Sequence, residues 1–134
     1  MKTLLTVTAV IEAGAGLALL GVPSVTASLL LGTPLEASAA MTLARVGGAA
    51  ILALAIVCWL TRDAHNIASR GLVIAMLFYN IAVAAVLALA SFGDGLPGML
   101  LWPAVAFHVA MGAWCITSLL RNDDVSASEQ SRVS

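Results

Sequence analysis

Four long apolar runs, separated by short polar segments, dominate the pattern along the chain. They cover about 3–21, 38–60, 71–91 and 99–119. Each run is close to the ~20 helical residues that cross a hydrocarbon core. The polar segment 61–70 and the Gly/Pro-rich turn 92–98 separate the last three runs. The pattern therefore predicts an all-α fold, an integral membrane four-helix transmembrane bundle, as one domain over 1–121.

The first run has two interpretations. Its Lys2 start and apolar stretch are typical of a secretory signal peptide, but Glu12 falls where a signal has a purely apolar core. We therefore interpret this run as the first span. Residues 22–32 are too short to cross a membrane and are predicted to be a connector with a short interfacial turn.

The second span carries a specific start signal. Thr33 and Glu36 have the spacing of a capping box, and Pro34 lies at the first position of the predicted helix. This pattern predicts a helix that begins before the apolar run and gives Glu36 a capping role. At the other end of the chain, 122–134 is polar, Ser-rich and free of aromatics, which predicts a disordered cytoplasmic tail.

The basic residues predict the orientation. If four spans alternate, all of the Lys and Arg outside the spans fall on one side of the membrane: Lys2, Arg62, Arg70, Arg121 and Arg132. The opposite side has Glu36 and Asp94 but no basic residue. Because cytoplasmic loops are enriched in Lys and Arg, this predicts a multi-pass protein of the inner (cytoplasmic) membrane with both termini in the cytoplasm.

Composition narrows the class of protein further. Of the 134 residues, 61% are hydrophobic and 10% charged, and the mean hydropathy is +1.04. A soluble domain of this size could not bury so much apolar surface. The net charge of −1 offers no basic surface, so we expect no nucleic-acid partner. The two cysteines, Cys58 and Cys115, are too few and too distant in sequence for a disulfide framework or a CxxC motif.

Each predicted span carries one strongly hydrogen-bonding residue near its middle. These are Glu12, Arg45, Asn80 and His108, in chain order. All four fall within roughly one helical turn, or ~6 Å, of a common depth. Such residues are costly in lipid unless they face the interior of the bundle. The sequence therefore predicts a buried polar cluster at the midplane.

The chemistry of the cluster predicts pairing inside it. The Arg45 guanidinium stays charged at any working pH and needs a partner, which the Glu12 carboxylate can provide. Asn80 can donate and accept hydrogen bonds, and His108 can also carry a proton. Two neighbouring side chains, Tyr79 and Thr42, are candidates to extend the network.

Two roles of the cluster remain open. It either binds a ligand or relays protons, or it only fixes the helices in register through interhelical hydrogen bonds. We favour the ligand or proton site because ionisable residues inside a membrane are typical of function.

A metal site is a weaker hypothesis. His108, Met111 and Cys115 share one helix face, and Cys58 lies at a similar depth to Cys115, which is a soft donor set suited to Cu(I). Met and Cys are also ordinary packing residues, and one His gives little basis for haem. We therefore predict no metal site, and the cofactor is left unknown.

The layout resembles the small four-helix bacterial inner-membrane proteins of the DoxX-like type. The residues that carry the resemblance are the string Ala44-Arg-Val-Gly-Gly48, the Trp59 that closes the second span and the polar loop after it. The resemblance implies an accessory or redox-linked membrane component. It transfers no catalytic residue to this chain.

From these observations we expect a bundle whose polar centre binds a small amphiphilic or anionic ligand, such as a quinone or lipid-like molecule, or relays protons. An Arg–Asn–His lining would suit such a ligand. One alternative is a non-catalytic accessory subunit of a larger membrane complex, or a homo-oligomer, which small-residue surfaces would suit. Another is a small membrane isomerase or hydratase with Glu12 and His108 as acid and base. Whether the chain is an enzyme is left open, with a non-enzyme favoured.

Overall fold

The computed structural model describes residues 1–64 and 67–133, with the side chains of 67 and 122–133 excepted. The described chain forms five α-helices and contains no strand. They are α1 (Lys2–Gly21), α2 (Pro23–Leu31), α3 (Ser38–Thr61), α4 (Ile67–Asp94) and α5 (Leu101–Val133).

The four long helices confirm the predicted fold class. Each of α1, α3, α4 and α5 contains a segment long and apolar enough to cross a membrane. Large apolar side chains point outward along them: Leu43 is 71% exposed and Phe78 is 75% exposed. Exposed apolar surface of this extent suits lipid as the surrounding solvent. The chain is a multi-pass membrane protein.

The bundle consists of two helix pairs. α1 packs along α3, and α4 packs along α5. The first pair is held closest at Gly16 and Gly48, where a Cβ on Gly16 would lie 2.8 Å from the Gly48 carbonyl oxygen. Small residues at this crossing let the two backbones touch. The α1/α3 and α4/α5 pairs share one apolar core, to which all four long helices contribute side chains.

The two ends of the bundle differ. At one end, here called the Asp63 end, α1 begins and α3 ends, and the Lys2 Nζ lies 2.7 Å from Asp63 Oδ1. The opposite end, here called the α2 end, is covered by the short helix α2. The sequence predicted only a connector with a turn there. A helix forms because Pro23 is preorganised for its first turn and Gly32 ends it with a φ of 80°.

Helix α2 is fixed to the loop that precedes α5. The Leu100 amide donates to the Leu29 carbonyl at 2.9 Å. Gly98 lies against the Leu30 backbone so closely that a Cβ would collide with the Leu30 carbonyl. Because α2 also follows α1 directly, it bridges the two helix pairs at this end.

The predicted capping box is wrong. α3 begins at Ser38, its N-cap is Ala37 without a side-chain cap, and the residues from Thr33 to Glu36 are not helical. The physical reason is a competing contact with α2. The Leu35 amide donates to Ser24 Oγ at 3.1 Å, and Ser24 Oγ also lies 3.3 Å from the Leu35 carbonyl. These bonds hold the segment before α3 against α2, so Glu36 caps nothing.

Some predictions concern parts of the chain that are not described in full. α5 continues as helix to Val133, whereas the sequence predicts a disordered tail over 122–134. The side chains of 122–133 lie outside the description, as does Ser134, so the prediction about the tail stays a prediction. His65 and Asn66, in the polar loop, also lie outside the described residues. The orientation of the termini stays a prediction too.

Candidate functional site

The two halves of the bundle interior are filled differently. The half nearer the Asp63 end is a packed apolar core that draws on all four spans: Leu4, Leu5, Ala9, Cys58, Val73, Met76, Met111 and Cys115. The half nearer the α2 end holds a cavity of about 480 Å³. A volume of this size is in the range of pockets that hold small molecules, about 300–1,000 Å³.

The cavity lies between the two helix pairs and beneath α2. α1 and α4 contribute apolar walls through residues such as Ala18, Leu19, Val83 and Leu87, while α2 contributes Thr26, Leu29 and Leu30. The lining also includes Ala104 and Phe107 of α5. Apart from Thr26, its polar side chains are Glu12, Tyr79 and His108. The cavity is thus an apolar chamber with a few polar groups in its wall.

Glu12 and Tyr79 join the two helix pairs. The Tyr79 hydroxyl donates a hydrogen bond of 2.9 Å to Glu12 Oε2. Glu12, at the middle of α1, is only 4% exposed. Its position on the buried face of α1, shared with Thr8 and Gly16 four residues away on either side, directs it inward. Tyr79 satisfies one carboxyl oxygen and leaves the second, Oε1, for other partners.

Asn80 and His108 form a second contact. The Asn80 Nδ2 donates to the Met76 carbonyl at 2.7 Å, so the NH₂ group is fixed on that side. Asn80 Oδ1 then faces His108 Nδ1 at 2.9 Å. Because an amide oxygen can only accept, Nδ1 must carry the proton in this contact. Neutral His108 therefore has its lone pair on Nε2.

The two contacts adjoin each other. The Tyr79 and His108 rings meet edge to face with centroids 5.7 Å apart, and the Phe107 ring lies 5.4 Å from the His108 ring. Glu12 Oε1 and His108 Nε2 take part in no hydrogen bond among the described residues. No fully buried side-chain nitrogen or oxygen in the described chain lacks a partner, so both atoms keep accessible surface. The site therefore has two unused polar atoms on residues that line the cavity.

The predicted Glu12–Arg45 pair is wrong. Arg45 is exposed on the outside of α3, and within the described residues it makes no ion pair with Glu12. The register of the antiparallel α1/α3 pair explains this. Gly16 lies opposite Gly48, Glu12 is four residues from Gly16 towards the Asp63 end, and Arg45 is three residues from Gly48 towards the α2 end. At 1.5 Å per residue the two are about 10 Å apart along the axis.

Thr42 is also outside the site. It is exposed on α3, and its hydroxyl donates to the Ser38 carbonyl one turn earlier at 2.9 Å. The structure thus brings together four of the six residues singled out from the sequence, namely Glu12, Tyr79, Asn80 and His108. Sequence reasoning missed the α2 residues Thr26, Leu29 and Leu30 above the cavity. A signal for them existed, because an apolar segment that starts with Pro and ends with Gly is typical of a short helix.

The soft donors do not extend the polar site. Cys58, Met111 and Cys115 are buried in the apolar core, and both thiols are free. His108 shares a helix face with Met111 but faces the cavity and Asn80. Within the described residues, no group of three or more His, Cys, Asp or Glu side chains could hold a metal ion.

No protein-family model, curated protein or solved structure matches this chain. The resemblance to the DoxX-like type therefore stays a prediction.

Proposed function

We propose that this protein binds a small amphiphile in the cavity beneath α2. The observation that carries the proposal is the coincidence of an apolar chamber of about 480 Å³ with Glu12, Tyr79 and His108 in its wall. An apolar pocket with a few convergent polar groups is typical of ligand sites. The tail of the amphiphile would occupy the chamber, and its head group would meet the polar side chains.

The cost of the polar side chains supports this proposal. Ionisable residues inside a membrane are expensive and are tolerated chiefly where they face a cavity or a partner. Glu12 and His108 each use one polar atom in a hydrogen bond and leave another without a partner among the residues that the structure describes. Side chains that serve only as interhelical glue usually have their buried polar atoms paired. The cavity likewise disfavours an accessory subunit with a dry, fully paired centre.

The proton-relay hypothesis has less support. A relay needs a continuous chain of hydrogen-bonding groups, but the Tyr79–Glu12 and Asn80–His108 bonds are separate, joined by a ring contact alone. Towards the Asp63 end the described interior is mainly apolar, with Leu4, Leu5 and Val73 fully buried, and its buried polar side chains are those of Thr8 and Ser69.

An acid–base enzyme remains the second candidate. Glu12 and His108 line the same cavity, and Glu12 is not ion-paired with Arg45. These are the two features that an isomerase or hydratase would need. Such an enzyme would still bind its substrate in this cavity. Turnover that is lost in both Glu12→Gln and His108→Gln, with binding retained, would distinguish it from a simple binding protein.

The experiment for the proposal compares two alanines of α5. Ala104 lines the cavity, whereas Ala106 is exposed on the outside of the same helix. The purified protein, its Ala104→Phe variant and its Ala106→Phe variant are titrated with ten-carbon amphiphiles that bear an alcohol, an amine or a carboxylic acid. The readout is the Tm.

We expect at least one amphiphile to raise the Tm of the wild type and of Ala106→Phe, and to have no effect on Ala104→Phe, because the added ring fills the cavity. If no amphiphile raises the Tm, or if all three proteins respond alike, the proposed binding site is wrong.

A further inference from the structure

We infer that the cavity selects a head group that donates hydrogen bonds, such as a hydroxyl, over one that only accepts them. This inference rests on the proposed function and concerns the chemistry of the same site. It reverses the expectation of an anionic or carbonyl-bearing ligand, which depended on Arg45 facing inward.

The first step is to count the donors. The polar side chains that line the cavity are Glu12, Thr26, Tyr79 and His108. The Thr26 hydroxyl donates to the Val22 carbonyl at 3.0 Å, and the Tyr79 hydroxyl donates to Glu12. The N–H of His108 is directed to Asn80, and Glu12 has no proton to donate when its carboxyl is ionised. A neutral imidazole has one such proton, and a hydroxyl has one as well.

The second step is to count the acceptors. Because those protons are already donated within the protein, the lining side chains offer a ligand lone pairs, which accept hydrogen bonds. The principal ones are Glu12 Oε1 and His108 Nε2, since neither atom has a partner among the described residues. The hydroxyl oxygens of Tyr79 and Thr26 retain lone pairs as well. The lining is therefore rich in acceptors and poor in donors.

Asn80 contributes to this excess of acceptors over donors, although it does not line the cavity. Its Nδ2 is fixed on the Met76 carbonyl, so its oxygen faces His108 and holds the proton on Nδ1. Asn80 is buried, and the contact cannot reverse without leaving the Met76 carbonyl facing an amide oxygen. Asn80 is thus a positioning residue that keeps Nε2 available as an acceptor.

The consequence for ligands follows from the cost of unmatched polar groups. While Glu12 is ionised, a carbonyl, ether or carboxylate that enters this chamber loses its water and finds no free donor among the described lining side chains. A hydroxyl can donate to Glu12 Oε1 or His108 Nε2. One such hydrogen bond distinguishes two otherwise equal ligands by about tenfold, and more when the acceptor is charged.

The experiment uses a matched pair of probes. 4-Heptylphenol and 4-heptylanisole have the same tail and ring, but methylation removes the O–H donor and keeps the oxygen acceptor. Binding to the wild type in lipid nanodiscs is measured by the Tm at increasing probe concentration, with Ala104→Phe as the blocked-cavity control. We expect the phenol to bind at least about tenfold more tightly than the anisole.

A variant of Glu12 tests the assignment to a specific atom. In Glu12→Gln the amide oxygen can still accept from Tyr79, which leaves an NH₂ donor where Oε1 was. The preference for the phenol should then fall or invert towards the anisole. A variant that merely loosened the bundle would weaken both probes equally.

The outcomes separate the two proposals. Equal binding of phenol and anisole, abolished by Ala104→Phe, would leave the cavity as a ligand site and overturn the donor preference. Tighter binding of the anisole would overturn it as well. Binding of neither probe would overturn the preference together with the proposed function.

Discussion

Gly16 of α1 and Gly48 of α3 lie backbone to backbone, and each would place a Cβ 2.8 Å from the other's carbonyl oxygen. This close contact marks the register of the first helix pair. In this register Glu12 lies one turn from the crossing towards the Asp63 end, where it lines the cavity. Arg45 lies almost one turn from the crossing towards the α2 end and is exposed on the outside of α3. The composition of the site thus depends on two glycines that do not belong to it.

The first prediction concerns this crossing. Gly48→Ala should lower the free energy of unfolding by about 1–3 kcal/mol, because the added methyl has to displace backbone atoms of α1. The adjacent Gly47 is the matched control, since nothing lies within 4 Å of a Cβ there. Gly47→Ala should be neutral. Unfolding of the purified bundle in a denaturing detergent measures both, and equal effects would contradict the proposed crossing.

The second prediction concerns the partner of Glu12. A double-mutant cycle between Glu12→Met, which removes the acceptor, and Tyr79→Phe should show coupling of about 0.6 kcal/mol, up to about 1.7 kcal/mol, because the two side chains share a hydrogen bond inside the membrane. The same cycle between Glu12→Gln and Arg45→Met should be additive within about 0.5 kcal/mol. Thermal stability is the measurement. Strong coupling between Glu12 and Arg45 would indicate an ion pair between them and would contradict the structure.

The third prediction is the tautomer of His108. Its Nδ1 faces an amide oxygen, so the neutral imidazole should carry its proton on Nδ1. ¹⁵N NMR of the histidine-labelled protein in lipid distinguishes the two ring nitrogens, and His65→Gln removes the second histidine signal. In Asn80→Leu the proton of His108 should no longer prefer Nδ1 over Nε2. A proton found on Nε2 of His108 in the wild type would contradict the contact with Asn80.

The fourth prediction is the orientation in the membrane. The distribution of Lys and Arg predicts that both termini lie in the cytoplasm. Compartment-sensitive reporters fused after Asp94 and after Ser134 should therefore report opposite sides. Activity of a periplasmic reporter at Ser134 would mean that the orientation is opposite to the one predicted. The description of the cavity and its side chains would not change.

Much of this architecture can be predicted from the sequence because hydropathy and length suffice to identify a membrane span. Glu12, Asn80 and His108 do face inward, but Arg45 lies about 10 Å from Glu12 along the bundle axis, farther than the common depth predicted for the four residues. Tyr79, named only as a neighbour of Asn80, is the actual partner of Glu12. Depth along a span can be counted from residues, but the direction of a side chain around the helix depends on packing.

Arg45 shows the limit most clearly. Its charge predicts a partner, but Arg45, seven residues after the start of α3, is exposed on the outside of the helix, where its long side chain can extend towards water. Which alternative holds is decided by the Gly16–Gly48 register, which involves two helices and cannot be read from either alone. The capping box failed for a similar reason. Ser24, in another helix, binds the backbone of Leu35 and prevents the local pattern from forming a helix.

The most direct test of the binding site is photo-crosslinking with a phenol-headed amphiphile that carries a diazirine on its tail. We expect labelled peptides to identify cavity residues on several helices, including Ala18 of α1, Leu30 of α2 and Val83 of α4. Excess 4-heptylphenol should prevent the labelling, and Ala104→Phe should abolish it. Labelling confined to outward-facing residues such as Leu43 and Phe78, and insensitive to both, would contradict an amphiphile site inside the bundle.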